Sequence, residues 1–158
     1  MRIAIEVLVI FLLILINGMF SMYELAMVSA KKPKLEQAKA SGDQRAARTL
    51  ELLENPNKFL STVQIGISLI SILSGAFGGA SIAATLTSWL ITRGMRLGTA
   101  SALSLAVVVL VITYFSIVIG ELIPKRIALN NPEGVAKSLS GIMGFISNLS
   151  RNRDAILY

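Results

Sequence analysis

The chain has 158 residues, 54% of them hydrophobic, and a mean hydropathy of +0.70, whereas a soluble domain of this length would need far more polar surface to cover its core. It contains neither cysteine nor histidine, which excludes disulfides, thiolate sites and the commonest general base, and leaves oxygen to hold any metal, so that hard ions such as Mg²⁺, Ca²⁺ or Na⁺ are selected. The net charge of +6 reads as basic loops beside anionic lipid rather than as a nucleic-acid surface.

The length fits one domain. Its first apolar run covers residues 3–30. Val7 to Ile16 alone could be the core of a signal peptide, but the run continues past Asn17 and Gly18 to Val28, no small-x-small site follows, and Lys31, Lys32 and Lys34 come after it rather than before. The reading is an uncleaved transmembrane helix, long enough to cross a hydrocarbon core of roughly 30 Å. From Lys31 to Lys58 the composition changes to seven Lys/Arg and four Asp/Glu. Leu35, Ala38, Ala46, Leu50 and Leu53 recur at near-helical spacing, which predicts short amphipathic helices over 33–54, separated at Ser41-Gly42-Asp43. Pro56 suits the first turn of the next helix.

The second span, 59–91, has no charge over 33 residues, although about 20 suffice to cross. The excess requires tilt, extension beyond the bilayer, or a break near Gly75, Gly78 and Gly79. The third span, 100–120, is rich in Val, Leu and Ile, and Pro124 with Lys125-Arg126 reads as its exit. Residues 133–149 are too short and too weakly apolar for a fourth crossing and predict an interfacial juxtamembrane helix; 151–158 read as an unstructured tail. With three crossings, 31–58 and 121–158 share a side and carry 12 of the 15 Lys/Arg. The positive-inside rule then places the N-terminus outside and the C-terminus in the cytoplasm.

Ionisable groups at bilayer depth mark functional positions, because lipid excludes them unless they are paired or face a cavity. Glu6 lies near the outer end and can snorkel. Glu24 and Glu121 lie at the inner ends of spans one and three, where Lys31, Lys125 or Arg126 could equally serve them as structural partners. Asn17, Ser21 and Glu24 share one helical face, as do Ser61, Gln64, Ser68 and Ser71 on span two. Span three adds Thr113 and Ser116. Converging oxygens of this kind suit a hard cation; the plainer reading of each serine is helix packing and bonding to its own backbone. No motif of an enzyme is present.

The stretch Asn17-Gly-Met-Phe-Ser-Met-Tyr-Glu-Leu-Ala-Met-Val-Ser29 resembles the first-helix motif of the CNNM/CorC transmembrane domain. Thr62-Val-Gln-Ile-Gly66, continuing through Ser74-Gly-Ala-Phe-Gly-Gly79, resembles its second helix, and Gly120-Glu-Leu-Ile-Pro-Lys-Arg126 its third-helix exit, with Asn131-Pro-Glu133 after it. The resemblance runs in order over about residues 3–140. It implies three transmembrane helices, short cytoplasmic-side helices between the first two, and a juxtamembrane helix within 1–150. It also implies a homodimer that moves Mg²⁺ across the plasma membrane, with Na⁺ as the proposed counter-ion, through a polar cavity facing the cytoplasm; export is the leading functional reading. Carried onto matching positions, the metal-site residues would be Ser21 and Glu24, then Gln64, Gly66 and Ser68, then Gly120 and Glu121. Many relatives have Asn where this chain has Ile67, which puts one amide ligand in doubt. Family members continue into cytoplasmic CBS modules; the chain stops at Tyr158, so the reading is a truncated piece without nucleotide regulation. The competing functional readings are a membrane-embedded Mg²⁺ sensor and anchor without transport of its own, a dimerisation module that binds no ion, and a gated channel.

Overall fold

The computed structural model describes residues 2–154, and every regular element among them is helical. The order is α1 (Arg2–Ser29), α2 (Lys32–Ala40), α3 (Gln44–Glu54), α4 (Pro56–Thr92), α5 (Leu97–Ile117), a π-helical turn (Val118–Leu122), α6 (Ile123–Asn130) and α7 (Pro132–Asp154). Three stretches are long and apolar enough to cross a membrane: Ile3–Ser29, Phe59–Thr92 and Leu97–Asn130. Their outward faces carry exposed Leu, Ile, Val and Phe in long rows, which is the surface expected of helices solvated by lipid tails.

Two helices, α2 and α4, are closed by a glycine in the left-handed region. After α2, Gly42 has φ +92°; its N–H donates to Lys39 O, and the next N–H, of Asp43, donates to Ala38 O. Gly94, φ +93°, closes α4 with the same pair of bonds, from its own N–H to Ile91 O and from Met95 N–H to Leu90 O. Both are Schellman caps, which use otherwise orphaned carbonyls. Asp43 then starts α3 by accepting from Arg45 N–H and Ala46 N–H at 2.9 and 3.2 Å.

Two helices differ from the sequence reading. The glycine cluster does not break α4, which runs unbroken for 37 residues and so measures about 55 Å at 1.5 Å per residue. Its excess over the bilayer is therefore met by tilt or extension. Nor does Pro124 end the third span. The chain stays helical to Asn130 because Pro124 falls in the first turn of α6, directly after the π turn. In that turn the Ile123 N–H reaches back five residues to Val118 O.

The third span and α1 meet at this point. A residue at 124 would normally donate its N–H to Gly120 O; Pro124 has none. The Asn17 side-chain amide donates to Gly120 O instead, at 3.2 Å. A Cβ on Gly18 would lie 2.9 Å from Pro124 Cγ and 3.1 Å from Ile119 O, so only glycine fits beneath the proline ring. Below this crossing, Phe20, Tyr23, Met27, Phe59 and Val63 form a core with Ala128 and Ala136. Tyr23 meets Phe59 edge-to-face at 5.1 Å between ring centroids.

The helix after the third span does not merely lie at an interface. It packs on α1 and α3 and is pinned by polar contacts: Glu133 accepts from Lys31 N–H at 3.3 Å and lies 3.6 Å from Lys34 Nζ, while Lys137 Nζ meets Asp43 Oδ2 at 3.0 Å. It also continues through 151–154, part of the stretch that reads from sequence as a tail; residues 155–158 lie outside the described residues.

Candidate functional site: a polar cavity between three spanning helices

A cavity of about 460 Å³ lies between α1, α4 and the π turn, in the part of the bundle nearest α2, α3, α6 and α7. Each wall comes from one of the polar stripes. The first span contributes Asn17, Ser21 and Glu24; the second contributes Gln64, Ser68 and Ser71; the third contributes Ser116, Glu121 and Lys125. Ile67 and Ile117 supply its apolar patches.

Of the seven residues carried over by resemblance, Ser21, Glu24, Gln64, Ser68 and Glu121 line this one cavity. Gly66 and Gly120 do not; both serve close packing. A Cβ on Gly66 would sit 2.7 Å from Phe20 Cε1, and one on Gly120 would sit 3.3 Å from Asn17 Nδ2. Gly120 still shapes the site through its carbonyl, which orients the Asn17 amide. Thr113 is not among the lining residues.

The serines divide by what their hydroxyls do. Ser61, Ser71 and Ser74 donate to the carbonyls of Asn57, Ile67 and Ile70 one turn back, the ordinary role of a hydroxyl in a membrane helix. Ser21, Ser68 and Ser116 have no such bond among the described residues, nor does the Gln64 amide. Ser21 is 3% exposed, so its free hydroxyl is held inside the cavity wall rather than in bulk solvent. Asn17 Oδ1 is likewise buried with no partner among the described residues. An orphaned buried oxygen costs about 1–3 kcal/mol.

The two carboxylates are prepared differently. Glu121 Oε1 pairs with Lys125 Nζ at 2.5 Å. Glu24 is half-buried and has no ion pair among the described residues. Among the described residues no group of three or more Asp, Glu, His or Cys could hold a metal. A cation here would be held by at most two carboxylates, with neutral oxygens completing its shell.

Sequence reasoning placed Asn17, Ser71 and Ser116 on polar faces without assigning them to the site, and took Lys125 for an exit signal or structural partner. On a regular helix Ser116 and Glu121 do not share a face. Five residues from Glu121, it would stand about 140° away on a regular α-helix at 3.6 residues per turn. The π turn absorbs the extra residue, and both face the cavity.

Comparison with known sequences agrees with this architecture. The profile of the cyclin M transmembrane N-terminal domain, CNNM, matches residues 8–151. The chain belongs to the CNNM family. It is 46% identical over 145 residues to a UPF0053 protein of Synechocystis sp., covering 92% of this chain and 32% of that protein. It is 32% identical over 139 residues to the polyamine export protein of Haemophilus influenzae, and 34% identical over 140 residues to that of Escherichia coli, covering 88% and 89% of this chain and 32% and 31% of those proteins. The CNNM domain here thus spans about a third of the length of the curated relatives it matches.

Proposed function

We propose that this CNNM domain is a non-enzymatic cation transporter that exports Mg²⁺ through the cavity, with Na⁺ as counter-ion, as a homodimer whose N-terminus is outside and whose basic helices face the cytoplasm. The observation that carries the reading is the cavity wall itself. Two carboxylates, Glu24 and Glu121, line it together with the unengaged side chains of Ser21, Gln64, Ser68 and Ser116. Mg²⁺ demands near-octahedral oxygen ligation and parts with water reluctantly. Neutral oxygens with one or two carboxylates replace part of the hydration shell without trapping the ion, which conduction requires. The basic charge of 31–58 supports the orientation.

A second reading is favoured by the relatives named polyamine export protein. An organic polycation would use the same two carboxylates as separate ammonium sites. Ile67 lines the cavity and leaves an apolar patch suited to a methylene chain better than to a bare ion.

Flux decides between them. Liposomes containing the purified chain are loaded with Mg²⁺ or with spermidine, and efflux is followed with and without an opposing Na⁺ gradient. Mg²⁺ flux that needs the protein, responds to Na⁺, and is weakened by Glu121→Gln and Ser21→Ala in protein that still folds is the expected result. Spermidine flux without Mg²⁺ flux would transfer the cavity to polycations. Mg²⁺ binding without any flux would point to a sensor and anchor.

A further inference from the structure

We propose that the Lys125 ammonium is a tethered stand-in for the transported cation, occupying Glu121 while the cavity is empty and leaving it when the cargo arrives. The inference rests on the cation-transport reading of the cavity and concerns how that site is emptied and refilled. It begins from an asymmetry. Of the two carboxylates on the wall, one is neutralised by a lysine that itself lines the cavity, and the other has no ion pair among the described residues. Lys125 is therefore part of the site and not only a marker of the membrane boundary.

The geometry makes the contact reversible. Glu121 lies in the π turn and Lys125 in the first turn of α6, four residues on, across Pro124. Their side chains are 48% and 36% exposed, so neither is locked by packing. Exposed pairs of this kind contribute little, and a divalent ion or a polyamine held by both carboxylates would outcompete a single ammonium. The lysine stem is long and flexible, and its Cα lies one turn nearer the end of the third span. The displaced ammonium can swing toward the headgroups, where anionic lipid favours it.

The consequence is kinetic as well as thermodynamic. An empty cavity with two bare carboxylates would hold its first cation more tightly, because both negative charges would attract it. A competing ammonium lowers that affinity and restores near-neutrality once cargo departs. Transport needs binding that is favourable on entry and weak enough for release.

Two measurements on the intact chain in nanodiscs test this. Calorimetry with Mg²⁺ compares the wild type with Lys125→Gln, and with Lys125→Met should the first variant fail to fold. The variants are expected to bind about two- to fivefold more tightly, the range that loss of an exposed ion pair allows. Amine-reactive labelling, read peptide by peptide, follows Lys125 in the wild type. Mg²⁺ should accelerate its modification, while Lys137, paired with Asp43 away from the cavity, serves as the internal reference. Unchanged or weaker binding in the variants overturns the proposal while the transport reading stands. So does tighter binding with no Mg²⁺ effect on Lys125 labelling, which would reduce the lysine to a long-range field. No Mg²⁺ binding by the wild type would remove the Mg²⁺ reading of the cavity and this inference with it.

Discussion

Gly18 and Gly66 occupy equivalent-looking places in two apolar helices, yet the atoms they face differ in how far they can yield. Opposite Gly18 stand the Pro124 ring at 2.9 Å and the Ile119 carbonyl at 3.1 Å from an added Cβ. A proline ring and a backbone oxygen cannot rotate away, so Gly18→Ala must push α1 off the third span. Opposite Gly66 stands the edge of Phe20 at 2.7 Å, which can relieve the contact by turning about its side-chain torsions. Overpacking typically costs 1–3 kcal/mol. Gly18→Ala is expected near the top of that range, roughly 2–3 kcal/mol, and Gly66→Ala nearer 1. Thermal unfolding in detergent orders the two; a larger loss for Gly66→Ala would refute the argument. Gly18→Ala should also disturb the cavity, because the Asn17 amide is aligned by the same crossing. Five of the seven site residues inferred from resemblance share that cavity, and their polar stripes were legible at helical spacing. The roles of Gly66 and Gly120 were not. A glycine in a sequence announces proximity without saying to what, and here an added Cβ would meet the Phe20 ring or the Asn17 amide.

At the scale of elements, the lengths and order of the spanning helices follow from runs of apolar residues, and the cut between α2 and α3 follows from Ser41-Gly42-Asp43. What the chain did not disclose is how the third span passes Pro124. Local rules stop a helix before proline; a π turn and a donor from another helix, Asn17, together let it continue. That rescue depends on a residue 103 positions away, beyond any local window. The docking of α7 is similarly non-local, since its first two turns are tied by Glu133 to the start of α2 and by Lys137 to Asp43. These contacts predict a pH dependence. The hydrogen bond from Lys137, with those from the Ala46 and Arg45 N–H groups, holds the Asp43 carboxyl below its ordinary value. At Glu133, burial pushes the carboxyl up, but bonds from its own N–H and that of Lys31, with the charge of Lys34, outweigh burial and lower it. A carboxyl lowered in the folded state stabilises above its unfolded value and loses that contribution as pH falls through its folded value. The docking of α7 should therefore hold at neutral pH and loosen only below about 4, the ordinary carboxylate range. A spin-label distance between α3 and α7, followed from pH 7 downward, checks this. Asp43→Asn should flatten the part of the profile that belongs to Lys137.

For the molecule as a whole, the decisive property is which face of the membrane the cavity addresses. Three crossings put the α2–α3 pair and α6–α7 on one side and the Arg93–Arg96 turn on the other; this is parity, independent of any charge rule. Charge then sets the sign. The 31–58 segment alone carries seven Lys/Arg, and Lys and Arg near span ends are retained in the cytoplasm. Because the cavity lies near the same end of the bundle, its access from the cytoplasm and the retention of that loop are one prediction. The chain has no cysteine, so a single introduced thiol reports without background. Ser41→Cys sits at the exposed turn between α2 and α3, and Thr92→Cys at the opposite end of α4, where Trp89 stacks under Arg93 at 4.7 Å. In intact cells a membrane-impermeant maleimide should label Thr92→Cys and leave Ser41→Cys unmodified until the membrane is opened. The reverse pattern would place the cavity mouth outside, and an inward-facing export site could not then be maintained. Labelling of both positions from outside would contradict the odd number of crossings, and with it the reading of α4 as a single span.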